Sequence, residues 1–283
     1  GDGTFTDVAA KVGIDDPDGH SNGGCAADYD NDGDKDLYLT NYGTSKLFNN
    51  NNDGTFSNFT TIANVGDADR SLRSAGCAWG DYDDDGYLDL IVVRHLKELN
   101  PDTLVNGDFY LAVGLIVLYH SNGDGTFTNM TEILGDTGPR EKNIYGEAIG
   151  NLWGAGFQPG WIDYDEDGDL DLYVANDKVM NHYYINDGKG YFEENAIFTG
   201  AGFNENGLAE AGMGVDIGDI NGDGWQDLFV TNFSGESNTI YLNNKRGFFS
   251  DETVMSGIEQ PSLNYVGFGT KLLDLDNDGW LDL

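Results

Sequence analysis

The stretch Asp28-Tyr29-Asp30-Asn31-Asp32-Gly33-Asp34-Lys35-Asp36-Leu37 decides how the chain is read, because its skeleton returns four more times. The recurrences run from Asp81 to Asp89, Asp163 to Asp171, Asp219 to Asp227 and Asp274 to Asp282, each reading D-x-[DN]-x-D-G-x-x-D. Oxygens at positions 1, 3 and 5 of a tight loop can converge on one hard cation. Glycine at position 6 permits the turn that brings position 9 back to the same point. The side chains so placed are Asp28, Asp30, Asp32 and Asp36; Asp81, Asp83, Asp85 and Asp89; Asp163, Asp165, Asp167 and Asp171; Asp219, Asn221, Asp223 and Asp227; and Asp274, Asp276, Asp278 and Asp282. Position 7, where residue identity varies (Asp34, Tyr87, Asp169, Trp225, Trp280), is suited to offering its backbone carbonyl. Oxygen ligation without His or Cys favours Ca²⁺ over zinc or copper. About five Ca²⁺ per chain are expected, the fourth held more weakly because Asn221 replaces a carboxylate.

Two competing readings of this phrase fail. An EF-hand carries Glu at position 12 and is flanked by helices, whereas position 12 here is Leu39, Val92, Val174 or Val230, inside β-rich runs such as DLYLTN and DLFVTN. Solvated Asp/Gly turns would explain one copy. They do not explain five with the carboxylates in phase.

A second phrase alternates with the first: Gly1-Asp-Gly-Thr-Phe5, Asp53-Gly-Thr-Phe56, Gly123-Asp-Gly-Thr-Phe127, Gly188-Lys-Gly-Tyr-Phe192 and Lys245-Arg-Gly-Phe-Phe249. Each is a tight turn feeding a strand, and each later copy follows a short apolar strand such as Leu115–Tyr119. One period therefore holds four strands: A, ending at the first loop Asp; B, after the loop; C; and D, starting at the turn aromatic. Strand A is rich in Gly and small residues, as in Gly76-Cys77-Ala78-Trp79, which suits inner strands crowded round an axis. Successive loops start 53, 82, 56 and 55 residues apart. Four strands in about fifty residues is a propeller blade. The expected fold is an all-β β-propeller. Its parts are an outer strand in residues 1–14, blades at 15–64, 65–134 (with a long insertion), 135–199 and 200–256, and a half blade at 257–283.

The whole chain resembles the FG-GAP/VCBS repeats that build the seven-bladed propeller of integrin α-subunit heads and of many secreted proteins. The wording ADYDNDGDKDLYLTN and GDGTFTDVA is most similar to the cartilage acidic protein (ASPIC/UnbV) family, although that family's C-terminal module is not in this sequence. The resemblance implies an extracellular or cell-surface protein that binds Ca²⁺ in its blade loops and acts as an adhesion-type or ligand-binding scaffold for a protein or carbohydrate.

Composition agrees with that class. Fifty acidic against 14 basic residues give a formal charge of -36, which argues against nucleic acid or an anionic membrane surface as partner. The longest apolar run, Phe109 to Tyr119, is too short to span a bilayer as a helix. Cys25 and Cys77 each sit in Gly-Cys-Ala upstream of a loop. Buried free thiols are the favoured expectation, with a bridge between neighbouring blades as the alternative. Asn58, Asn129 and Asn232 open glycosylation sequons.

No catalytic constellation stands out. His20, His95, His120 and His182 lack metal-ligand or triad spacing, and nucleophile elbows, phosphate loops and HExxH are absent. A non-enzymatic binding module is expected; the alternative is the propeller of a carbohydrate lyase or dehydratase. Strand parity puts the ion loops on one face and the two long links (Arg94 to Val113, Glu132 to Gly156) on the other. Long links in short-loop folds are often functional. These carry Arg94, His95, Lys97, Arg140, Lys142, Tyr145 and Trp153, with Arg70 and Arg73 beside them. That face is the expected site for an anionic or carbohydrate ligand.

Overall fold

The structure is a computed structural model describing residues 3–66, 72–97, 112–113, 116–135, 139–142, 148–150 and 155–283. After a helical turn α1 (Ala9–Val12), the first blade comprises β1 (Ser21–Ala27), β2 (Asp36–Asn41), β3 (Lys46–Asn50) and β4 (Phe56–Asn58), closed by α2 (Thr60–Ala63). The second has β5 (Leu72–Gly80), β6 (Asp89–Lys97), the two-residue β7 (Ala112–Val113), β8 (Val117–Ser121) and β9 (Phe127–Asn129). A separate hairpin pairs β10 (Pro139–Lys142) with β11 (Ala148–Gly150). The third blade is β12 (Gly156–Ile162), β13 (Asp171–Asn176), β14 (His182–Asn186) and β15 (Phe192–Glu194), followed by α3 (Ala196–Thr199). The fourth is β16 (Gly212–Gly218), β17 (Asp227–Asn232), β18 (Thr239–Asn243) and β19 (Phe249–Asp251), followed by α4 (Thr253–Ser256) and α5 (Glu259–Ser262). Each blade is an antiparallel up-and-down sheet; in the second, β7 adds a short pairing to the far end of β6. The all-β propeller architecture expected from the repeats is what forms.

The blades pack face to face through a repeated aromatic contact. Tyr29, at position 2 of the first loop, stacks on Trp79 of the next blade at 5.9 Å and meets Phe127 at 5.8 Å. Tyr82 repeats this with Trp161 at 6.3 Å and Phe192 at 5.6 Å. The aromatic of the G-x-G-T-F turn therefore both starts strand D and fills the interface to the preceding blade. Tyr29 and Tyr82 are buried, so each such cluster removes large apolar surface from water.

Cys25 and Cys77 form a disulfide, with Cα atoms 5.9 Å apart, which corrects the expectation of free thiols. Side chains of a strand alternate between its two faces. Cys25 stands three residues before its loop and Cys77 four residues before its own, so the two point to opposite faces of their blades and meet across the interface.

Two further expectations are corrected. Residues 3–8 form no strand: among the described residues their backbone has no ladder partner, and Val12 N–H bonds Val8 O at 2.9 Å to close a helical turn instead. Asp7 Oδ1 accepts Ala9 N–H at 3.0 Å, as Asn58 accepts Thr60 N–H at 3.1 Å and Asn129 accepts Thr131 N–H at 3.0 Å after their D strands. In residues 257–283 the half blade is reduced to one bridge, Leu273 to Asp282. Its inner segment bonds the neighbouring blade instead, with Gly267 N–H to Asn232 O at 3.2 Å and Lys271 Nζ to Asp216 Oδ1 at 2.8 Å. The turn after strand D also accounts for two sequons, since Asn58 and Asn129 close it with their side-chain oxygens; the third is buried, Asn232 being 1% exposed.

Candidate metal centres

All five loops close through the same three hydrogen bonds. The position 1 carboxylate accepts the N–H groups of positions 5 and 6: Asp32 and Gly33 on Asp28 at 3.0 and 2.9 Å, and Asp278 and Gly279 on Asp274 at 3.0 and 2.9 Å. The position 5 carboxylate accepts the N–H of position 7, as Asp32 does from Asp34 at 3.0 Å. Two consecutive turns require positive φ at positions 4 and 6. Position 6 is always Gly, at 98° for Gly33, while position 4 is Asn31, Asp84, Glu166, Gly222 or Asn277. Asn, Asp and Gly tolerate that conformation. Glu166, at φ 58°, does so at a cost.

Position 9 has a second job. Asp36 Oδ1 accepts Asn50 N–H at 2.8 Å and Asp36 Oδ2 accepts Tyr29 N–H at 3.3 Å. Asp89, Asp171 and Asp227 do the same with Ser121, Asn186 and Asn243, each at 2.8 Å. These carboxylates are 0–2% exposed and tie strand C to the loop. Burial pushes Asp36 up to about 6, Asp89 to about 7 and Asp171 to about 8. Asp30, Asp83 and Asp165, at position 3, are raised by burial and then by the charge of the neighbouring position 5 Asp.

A bound cation would offset this cost. Ligand atoms of Asp28, Asp30 and Asp32 lie within 4.8 Å of one another, as do those of Asp163, Asp165 and Asp167, of Asp81, Asp83 and Asp89, and of Asp274, Asp276 and Asp282. The fourth loop is not among these groups; there Asn221 Nδ2 donates to Asp223 Oδ2 at 3.3 Å. In the first loop, Asp30 Oδ1 and Asp34 Oδ2 are buried with no hydrogen-bond partner. Buried unsatisfied carboxylate oxygens are rare and call for an explanation. A hard cation fits the oxygen donor set. Asp34 carries one of these oxygens although it is not among the three carboxylates whose ligand atoms converge.

Sequence reading missed the residues that connect one loop to the next. Asn186 Nδ2 donates to Tyr82 O at 2.7 Å and Asn243 Nδ2 to Tyr164 O at 2.7 Å, each reaching position 2 of the preceding blade's loop. The signal was present, since both follow the aromatic-x of strand C by one place. Sequence reading also missed His120, whose Nδ1 lies 3.1 Å from Asp89 Oδ1 and 3.4 Å from Asp83 Oδ2.

At the other end of the blades the expected ligand residues separate. Arg94 is buried, not exposed: β6 runs on to Lys97, which leaves Arg94 inside the ladder opposite Ser74. His95 lines a cavity of about 460 Å³, with Arg73 on its wall. Arg140 and Lys142 lie on β10 and Lys97 ends β6, with side chains outside the described residues, as are Arg70, Tyr145 and Trp153 altogether.

A family model for FG-GAP-like repeats matches residues 28–92, 163–230 and 219–283, which together span about two-thirds of the chain. The chain belongs to the FG-GAP-like repeat family. The matches begin on loop residues Asp28, Asp163 and Asp219, and they pass over residues 93–162, where the long links lie. No curated protein matches the chain. One similar solved structure is that of an Agrocybe aegerita lectin described as specifically recognising non-reducing terminal N-acetylglucosamine. It is 20% identical over 92% of this chain and 73% of its own, with a TM-score of 0.37.

Proposed function

We propose that this FG-GAP repeat protein is a Ca²⁺-binding extracellular propeller, of the ASPIC/UnbV type, that acts as a non-enzymatic scaffold for a protein or carbohydrate ligand. The observation that carries the cation reading is the pair of buried, partnerless oxygens on Asp30 and Asp34 inside a loop whose other carboxylates already face one another. Ca²⁺ suits an all-oxygen, irregular donor set better than the smaller Mg²⁺, which demands near-ideal octahedral geometry. The Cys25–Cys77 bridge is compatible with an oxidising compartment, and no helix among the described residues is long and apolar enough to cross a membrane. The carboxylates serve the loops, and the opposite end, free of ion loops, is the surface on which a ligand would be read.

Calorimetric titration of metal-free protein with Ca²⁺ tests this reading. Several sites are expected, and Asp30→Ala should remove one of them while leaving the rest intact. A folded protein that takes up no Ca²⁺ would overturn the assignment.

A further inference from the structure

The cavity at the end away from the loops is walled by the starts of the inner strands of the four blades and by the corresponding segment of the fifth repeat. Six places before each loop's first Asp stand Asn22, Ala75, Phe157, Met213 and Phe268, and all five line it. We propose that this cavity is the ligand site and that it takes a carboxylated sugar of the uronic acid class. The inference rests on the reading of the chain as a binding scaffold and supplies that scaffold with a site and a ligand chemistry.

Charge is the first argument. In a chain of formal charge -36, the cavity wall holds Arg73 and His95, and no acidic side chain among the described residues lines it. Asp177, beside the cavity wall, is engaged by His95 Nε2 at 3.1 Å. The Arg73 guanidinium lies 5.3 Å from the centre of the Tyr42 ring. Such a contact holds the planar fork in place, ready to donate two parallel hydrogen bonds to a carboxylate.

Shape and polarity narrow the class further. A volume of about 460 Å³ falls within the range of small-molecule sites. The rings of Phe157 and Phe268 stand 5.9 Å apart at 73°, and His95 packs on Phe157 at 4.2 Å, which offers aromatic surface to the apolar face of a pyranose. Asn22 Nδ2 donates to Ser74 O at 2.9 Å and Gln158 Nε2 to Pro159 O at 3.2 Å. Their amide oxygens are then the atoms left to accept from sugar hydroxyls. Donors for a carboxylate, acceptors for hydroxyls and a ring-sized apolar wall meet in one place.

The test uses methyl glucuronide, its methyl ester and methyl glucoside as probes on Ca²⁺-saturated protein, read by saturation-transfer NMR and calorimetry. Glucuronide should bind at least tenfold more tightly than the two neutral sugars. Arg73→Met should reduce glucuronide to the level of glucoside without changing glucoside. Phe268→Ala should weaken all three, and Arg246→Ala, an exposed cation at the loop end, should change none. Equal binding of acid and neutral sugars, an unaffected Arg73→Met, or no binding of any probe would each overturn the inference. The same samples are titrated with Ca²⁺. Ca²⁺ uptake without sugar binding defeats this inference alone, whereas loss of both defeats the scaffold reading itself.

Discussion

At the loop end of the inner strands, the same hydrogen bonds from backbone N–H to carboxylate recur five times with the same residue types. Position 5 donates to position 1 at 3.0, 3.1, 3.1, 2.9 and 3.0 Å along the chain. At the other end, six residues earlier on the same strands, stand an amide, a methyl, a phenyl, a thioether and another phenyl. Both ends belong to one repeated fold, so the fold alone cannot account for the difference. Repetition at one end means that each blade meets the same demand there, which is to close a turn around negative charge. The other end faces a cavity that all five repeats share, to which each brings a different residue at the same place, so each residue answers a different demand.

The largest expected effect separates the two ends by metal. A ligand bound to the folded state alone stabilises by RT ln(1 + [L]/Kd), about 2.7 kcal/mol per site at a hundredfold excess over Kd. Several loops acting together should make chelation lower the melting temperature sharply, in a thermal scan with and without excess chelator. Arg73→Met, at the far end, should show the same drop as the parent. An unchanged melt with chelator would reduce the loops to solvated turns and break the contrast.

Acid should act on the other end. His182 opens β14 away from the loops, is 3% exposed, and burial lowers it from 6.5 to about 4. The folded state therefore favours neutral imidazole. This residue costs nothing above the unfolded value, and the protein loses stability as pH falls through 6.5 towards 4. Between pH 7.5 and pH 5 the loss is about 2 kcal/mol. The difference in denaturation midpoint between the parent and His182→Phe should move by that amount over this window, with Ca²⁺ held saturating. A pH-independent difference would mean that His182 is already solvated or paired in the fold.

The propeller was legible because its instructions are local and repeated. The Gly at position 6 fixes a turn, the period of four short strands fixes a blade, and any single copy can be checked against the other four. What the loops contain was less legible. Position 9 reads as a ligand, yet Asp171 also accepts two backbone N–H groups, from Asn186 and Tyr164, which depends on strand C lying beside it. The disulfide hinged on a one-residue offset between Cys25 and Cys77, visible only when both are counted from their loops. The far end was hardest. Arg94 and His95 are adjacent and equally polar, and only the extra length of β6 decides that one is buried in the ladder while the other reaches the cavity.

The smallest effect lies within the loop end, where the five copies are less alike than their hydrogen bonds suggest. The residue after the aromatic of strand C stands behind each loop, and it is Asn49, His120, Ile185 and Leu242 in turn. Asn49 Nδ2 donates to Asp30 Oδ2 at 2.9 Å and reaches Asp36 Oδ1 at 3.3 Å; His120 Nδ1 meets the corresponding Asp83 and Asp89. Ile185 and Leu242 have no donor to give. Pinning Asp30 Oδ2 leaves Oδ1, buried and partnerless, held in place to meet a cation. Ordering a mobile side chain on binding costs about 0.5–1.5 kcal/mol, so a braced carboxylate should be worth up to about tenfold in Kd. Asn49→Leu should weaken one Ca²⁺ site by that factor in a calorimetric titration, with the metal-free melt unchanged, and Ile185→Asn should tighten another. His120→Asn should restore what His120→Leu loses, because only a donor is required there. If Asn49→Leu lowers the metal-free melt and leaves every Kd alone, Asn49 braces the blade rather than the ion, and the first two loops are no different in kind from the next two.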